Sequence, residues 1–112
     1  MRTFFYSMLA LFIISTTVHA QQLPQITIVN RTGYEITQVY FSSSVDDFWG
    51  VNRLVSATIL RGHSVTLDLP YPLNVVDRYD IRLTDVDGDT YTKFNVRVTN
   101  SPRIVFTLDD ID

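Results

Sequence analysis

The chain has 112 residues, 12 acidic against 9 basic side chains, and no cysteine. That length suits one small domain, and the missing cysteine excludes a disulfide scaffold and a thiol nucleophile. The acidic balance disfavours a binder that tracks nucleic-acid phosphates, and equally a surface drawn by charge to anionic lipid.

The first element is a leader. "MRTFFYSMLALFIISTTVHA" places Arg2 ahead of an apolar run from Phe4 to Ile14 and ends in Val18-His19-Ala20. Such a layout predicts a cleavable secretory signal over residues 1–20. The apolar run covers 11 residues, short of the roughly 20 that a helix needs to cross a bilayer. Cleavage after Ala20 leaves 92 residues, 21–112, with 8 basic against 12 acidic side chains and a net charge of −4. A secreted or periplasmic protein with no integral membrane segment is the expectation. Without disulfides, its stability must come from packing and sheet hydrogen bonds.

The remaining chain reads as strands. "QITIVN" (25–30) alternates, and "NRTG" (30–33) reads as a turn closed by Gly33. "YEITQVYFS" (34–42) is rich in β-branched and aromatic residues, with a phase change after Ile36 that suggests a bulge. The irregular stretch 42–62 offers Ser44 as the cap of a single helical turn, and Leu54, Ile59 and Leu60 as core contacts. "SVTLDL" (64–69) alternates until Pro70 and Pro72. Strands follow at 79–84, 90–99 and 103–108. Six short strands, with no sustained helical period, predict an all-β fold: a small antiparallel β-sandwich of the immunoglobulin-like class, with about six to seven strands.

Turn chemistry gives two registers. A two-residue Asp87-Gly88 turn sets Ile81 opposite Phe94, Tyr79 opposite Val96 and Leu83 opposite Thr92, with the apolar residues on one face. A second hairpin at "TNSPR" sets Val98 opposite Ile104 and Val96 opposite Phe106. Together they bring the tip at 85–89 and the tail "DDID" (109–112) to one end of a sheet.

Four places are candidates for chemistry. "DVDGDTY" (85–91) alternates aspartates around a glycine. Its spacing fails the calcium helix-loop-helix pattern, since Thr90 and Val96 stand where glycine and glutamate are required. Asp85, Asp87 and Asp89 could still pool with Asp109, Asp110 or Asp112 around calcium. The same residues suffice for a plain hairpin turn. "DDFWG" (46–50) offers Phe48 and Trp49 either as a contact surface for a sugar or peptide or as a plug for the core. After the leader, His63 is the one histidine and Glu35 the one glutamate. That leaves little for a hydrolase, whose nucleophile would need His63 as base. "NRT" (30–32) fits a glycosylation sequon, and Asn30 is expected to serve its own turn.

The stretches "IVNRTGYEI", "SSSVDDFWG", "LRGHSVTLDL", "YDIRLTDVDGDTY" and "SPRIVFTLDD", in that order, resemble a group of small secreted bacterial β-domains. The resemblance covers most of residues 26–110 and departs at "GVNRLVSA", where acidic residues often follow the Trp-Gly pair. It implies secretion and one β-sandwich domain, and implies no activity or catalytic residue. The expected function is a secreted or periplasmic, non-enzymatic β-sandwich that binds a protein or glycan partner or associates with the envelope, without a cofactor. A calcium-dependent version is the alternative, and a small hydrolase stands third.

Overall fold

A computed structural model describes residues 23–112. The leader expected at 1–20 lies outside the described residues. Six strands form in chain order: β1 (Gln25–Arg31), β2 (Ile36–Ser42), β3 (Ser64–Asp68), β4 (Arg78–Asp85), β5 (Thr90–Arg97) and β6 (Arg103–Thr107). A 3-10 turn at Leu108–Asp110 follows. No helix among the described residues is long and apolar enough to cross a membrane.

The strands make two three-stranded sheets, ordered β3-β1-β6 and β2-β4-β5. The core lies between them. Ile26 and Ile28 of β1 and Phe106 of β6 meet Val39 and Phe41 of β2 and Tyr79, Ile81 and Leu83 of β4. Burying a side chain of this kind stabilises the fold by about 1.5–3 kcal/mol. All six strands therefore follow from alternation, and the bulge expected after Ile36 is present between Ile36 and Gln38. Leu54 and Ile59 are buried as expected, whereas Leu60 is exposed. Ser43, rather than Ser44, ties the turn after β2, its Oγ accepting the Val45 and Asp46 amides at 3.3 Å.

Both registers need correction. At the tip, Ile81 faces Lys93, Leu83 faces Tyr91 and Thr84 faces Thr90. The loop is the three residues Val86–Gly88, closed by hydrogen bonds from Gly88 N to Asp85 O (3.0 Å) and from Asp85 N to Asp89 O (2.9 Å). Gly88 takes φ +87°, the left-handed position that ends such a loop. A shift by one residue turns Tyr91 inward and leaves Phe94 67% exposed. A bulge at Asn95, φ 54°, then restores the expected pairing of Tyr79 with Val96.

β6 does not pair with β5. After Val98 the chain turns through Asn100 (φ 66°) and Ser101 (φ 50°) and crosses to the other sheet. There β6 runs parallel to β1, with Ile28 beside Ile104 and Asn30 beside Phe106. That sheet is mixed rather than wholly antiparallel. The crossing gives it a third strand, without which β1 and β3 would be a hairpin-sized ribbon of marginal stability.

Both edges of the β2-β4-β5 sheet are blunted. Along β2, Ile36 and Ile59 exchange two backbone hydrogen bonds, Asn52 Oδ1 accepts the Val39 amide, and Arg53 N donates to Val39 O at 2.7 Å. Along β5, Ile111 bridges to Tyr91, and Lys93 points inward. Covered edges and an inward charge both block pairing with another chain.

Candidate contact surface on the three-stranded sheet

The outer face of β2-β4-β5 is set by the same alternation that builds the core. Across the middle, Tyr40, Arg82 and Thr92 stand in one row; Gln38, Thr84 and Thr90 form the next. The loop after β2 lays Trp49 over this face. The Arg82 guanidinium carbon sits 4.4 Å from the Trp49 ring centroid, a cation–π stack. Arg82 Nε donates to Thr92 Oγ1 at 2.9 Å and lies 3.8 Å from Asp112 Oδ2.

The tail completes this edge of the face. Asp112 Oδ2 accepts from Thr92 Oγ1 (2.6 Å) and Thr90 Oγ1 (2.7 Å), and its backbone N–H donates to Thr90 O. Burial by itself would raise the Asp112 pKa. The hydroxyls of Thr92 and Thr90, with Arg82, outweigh it and hold the carboxyl below its ordinary range.

Trp49 is half-buried against Arg82 rather than inserted in the core. Its neighbour Phe48 is 61% exposed, and Val45, Val51 and Val55 along the same loop are exposed as well. Gly50 takes φ +74°, and the Phe48 ring and the Arg53 guanidinium both lie near the space a side chain there would need. Of the two readings of "DDFWG", the core plug fails for Phe48.

The tip is a different kind of object. Asp85 is 2% exposed. Its Oδ1 accepts the Asp87 and Asp89 amides at 2.9 and 3.0 Å, and its Oδ2 accepts the Tyr91 hydroxyl at 2.8 Å. Burial first, and then this carboxylate, push the Tyr91 phenol up to about 12. Asp87 and Asp89 are exposed. Asp110 faces another way: its Oδ2 accepts the Thr107 amide at 2.8 Å, and its Oδ1 pairs with Lys93 Nζ at 3.0 Å. Asp109 donates its amide to Thr107 Oγ1 and is exposed. Tip and tail thus meet at β5 as expected, but Asp85, Asp87, Asp89, Asp109 and Asp110 are not gathered. Among the described residues no group of three or more His, Cys, Asp or Glu side chains is placed to hold a metal ion.

Two further motifs resolve into turns. Asn30 is fully buried. Its amide donates to Tyr34 O (2.7 Å) and Ile59 O (2.9 Å), while its oxygen accepts the Thr32 hydroxyl (2.7 Å) and amide (3.1 Å). Both amide protons are engaged, so the sequon is a structural clamp. His63 is exposed in the turn before β3 and passes its carbonyl to Asn30 N at 2.8 Å.

Reasoning from the sequence missed Arg82 and Asp112 as members of the outer face. The alternation of "YDIRLT" does place Arg82 outward, but only the long loop's path shows what stacks on it.

No family model matches the chain, and no curated protein matches it. A solved structure, the NMR structure of a protein from Eubacterium rectale, is similar with a TM-score of 0.60 at 16% sequence identity. The match covers 83% of this chain and 87% of that one. At that identity the likeness establishes the shared fold and no more.

Proposed function

We propose that this protein is a secreted or periplasmic, non-enzymatic binding module that meets a protein or glycan partner through the outer face of β2-β4-β5. The observation that supports it is Trp49, held on Arg82 at 4.4 Å beside the exposed Phe48 ring. A pinned aromatic loses little side-chain entropy on contact, and an exposed one offers large apolar area; contact surfaces favour both, together with arginine. Export rests on the leader at 1–20 and on the resemblance to small secreted β-domains. We also place the sandwich in the immunoglobulin-like class, supported by four crossings between sheets: β1 to β2, β2 to β3, β3 to β4 and β5 to β6.

The test is capture from the producer's envelope fraction with exported protein and with a Phe48→Ala/Trp49→Ala variant. A partner held by the first and lost by the second is the expected result. Equal capture by both proteins removes the outer face as the contact surface.

A further inference from the structure

We propose that the cavity at the far end of the same outer face is a subsite for a sugar ring, neutral or amine-bearing. This inference rests on the binding-module reading and names a ligand class for it. The cavity has a volume of about 370 Å³, within the range that small-molecule sites occupy. Ser42 and Asp80 are register partners on β2 and β4, and with Asn95 of β5 they line it. Ser44 and Asp47 from the loop after β2, and Asp77 from the segment before β4, line it too. Asp47 lies two residues from Trp49 in the chain, so one loop serves both the cavity and the aromatic contact.

The lining chooses the ligand. Three carboxylates, Asp47, Asp77 and Asp80, stand against one guanidinium, Arg78. That balance repels phosphates and uronic acids. A bare metal ion is poorly served, because these carboxylates do not converge and Asp80 Oδ1 already accepts the Asn95 amide at 2.8 Å. Hydroxyl groups suit the site better. Carboxylates accept from them, serine hydroxyls donate and accept, and the exposed Val75 supplies apolar surface for the C–H side of a ring. Tyr79 lines the cavity as well, with its ring packed in the core against Phe41. Asp47 and Asn95 both hold left-handed backbone at φ 54°, and the Asp80 contact and the Ser43 cap fix the turns that carry them. The walls are set before a ligand arrives, which lowers the ordering penalty of binding.

The experiment is amide-resolved NMR of the exported protein, titrated separately with glucose, glucosamine, glucuronic acid and calcium chloride. Saturable shifts at Ser42–Ser44, Asp80 and Asn95 with glucose or glucosamine are expected. Glucuronic acid should bind at least about tenfold more weakly. A Ser44→Ala/Asp77→Ala variant should lose about tenfold or more in affinity at unchanged Tm, because neither side chain holds a hydrogen bond to the described residues. Absence of these shifts with every sugar, equal binding of glucuronic acid, or tighter binding of calcium at the same amides overturns the subsite. If the sugars fail while envelope capture still depends on Phe48 and Trp49, the subsite falls and the binding module stands. If capture fails too, both fall.

Discussion

The hairpin tip at 85–91 and the loop at 43–57 both connect to the same sheet, and they are built in opposite ways. At the tip, polar groups turn inward and satisfy one another. Asp85 takes two amides and a phenol, and its carboxylate is sealed from solvent. In the loop, apolar groups turn outward: Phe48, Val51 and Val55 are exposed, and Trp49 lies on Arg82. The stretch whose spacing most resembles a metal loop is built as a hydrogen-bonded turn, and the stretch with the aromatic pair presents apolar groups at the surface. A buried carboxylate is expensive unless fully hydrogen-bonded, so a full set of partners marks a structural role. Exposed aromatic and aliphatic side chains gathered in one loop contribute little to the core, which is what the proposed contact surface requires.

The sharpest way to break this contrast is Asp85→Ala. It leaves the Asp87 and Asp89 amides and the Tyr91 hydroxyl without their acceptor. Charged hydrogen bonds of this kind are worth about 1.5–3 kcal/mol each, so a loss of about 3 kcal/mol or more is expected. For a domain of this size, Tm should then fall by more than about 10 °C. Asp85→Asn keeps one acceptor oxygen and should lose less. A fall of only a degree or two for Asp85→Ala would show that the tip is not the structural device described.

Tyr91→Phe tests the same device from the other side. It removes the donor to Asp85 Oδ2 and should destabilise by about 1.5–3 kcal/mol. Its pH signature is specific. The Tyr91 pKa is pushed up to about 12 in the fold, above the ordinary 10.0, so the folded state keeps a proton that the unfolded chain releases. Stability is therefore complete below about pH 10 and is lost as pH rises toward 12. Tyr79, raised mainly by burial, acts in the same direction. Alkaline unfolding followed by circular dichroism should be less steep in Tyr91→Phe than in the parent. Identical alkaline limbs would disconnect Tyr91 from the tip.

Those two residues also explain where sequence reasoning succeeded and where it stopped. Strand positions follow from alternation, and all six are legible, as are the bulge after Ile36 and the burial of Leu54 and Ile59. The register of β5 is not. "TYTKFNVRV" carries one apolar set at Phe94, Val96 and Val98, and a competing inward residue at Tyr91. Counting apolar side chains favours the first set. The Tyr91 hydroxyl, paired with Asp85, decides for the second, and the Asn95 bulge then recovers Val96. A polar pair inside the core outweighs an apolar count, and alternation carries no information about it. The parallel seat of β6 beside β1 was equally hidden, since "TNSPR" supports a hairpin or a crossing and only the far sheet's need for a third strand separates them. Within the site, Phe48 and Trp49 were legible as exposed-aromatic candidates. Their partner Arg82 was not, because stacking depends on a path through 21 irregular residues, 43–63.

In the loop the expected effects on stability are small and those on binding large. Trp49→Ala removes a cation–π contact at a partly exposed site, worth about 0.5–1 kcal/mol, and should lower Tm by only a few degrees. Arg82→Ala should do much the same, and the double variant should fall short of the sum, since the two side chains share one interaction. Full additivity in thermal melts would show that Trp49 and Arg82 do not stack in solution.

The smallest expected effect belongs to calcium at the tip. A site filled at 100 times its dissociation constant adds about 2.7 kcal/mol, which in a domain of this size is a rise of on the order of 10 °C or more in Tm. The carboxylate best placed to start such a site, Asp85, already holds three donors, and Asp110 and Asp112 are committed to Lys93 and to the two threonines. Calcium binding would have to dismantle these contacts, offsetting what it adds. Melts with millimolar calcium and with chelator should therefore agree within about a degree. A rise near the full value, abolished by Asp87→Asn/Asp89→Asn, would show that the exposed aspartates recruit the tail after all, and the tip would then be a site as well as a turn.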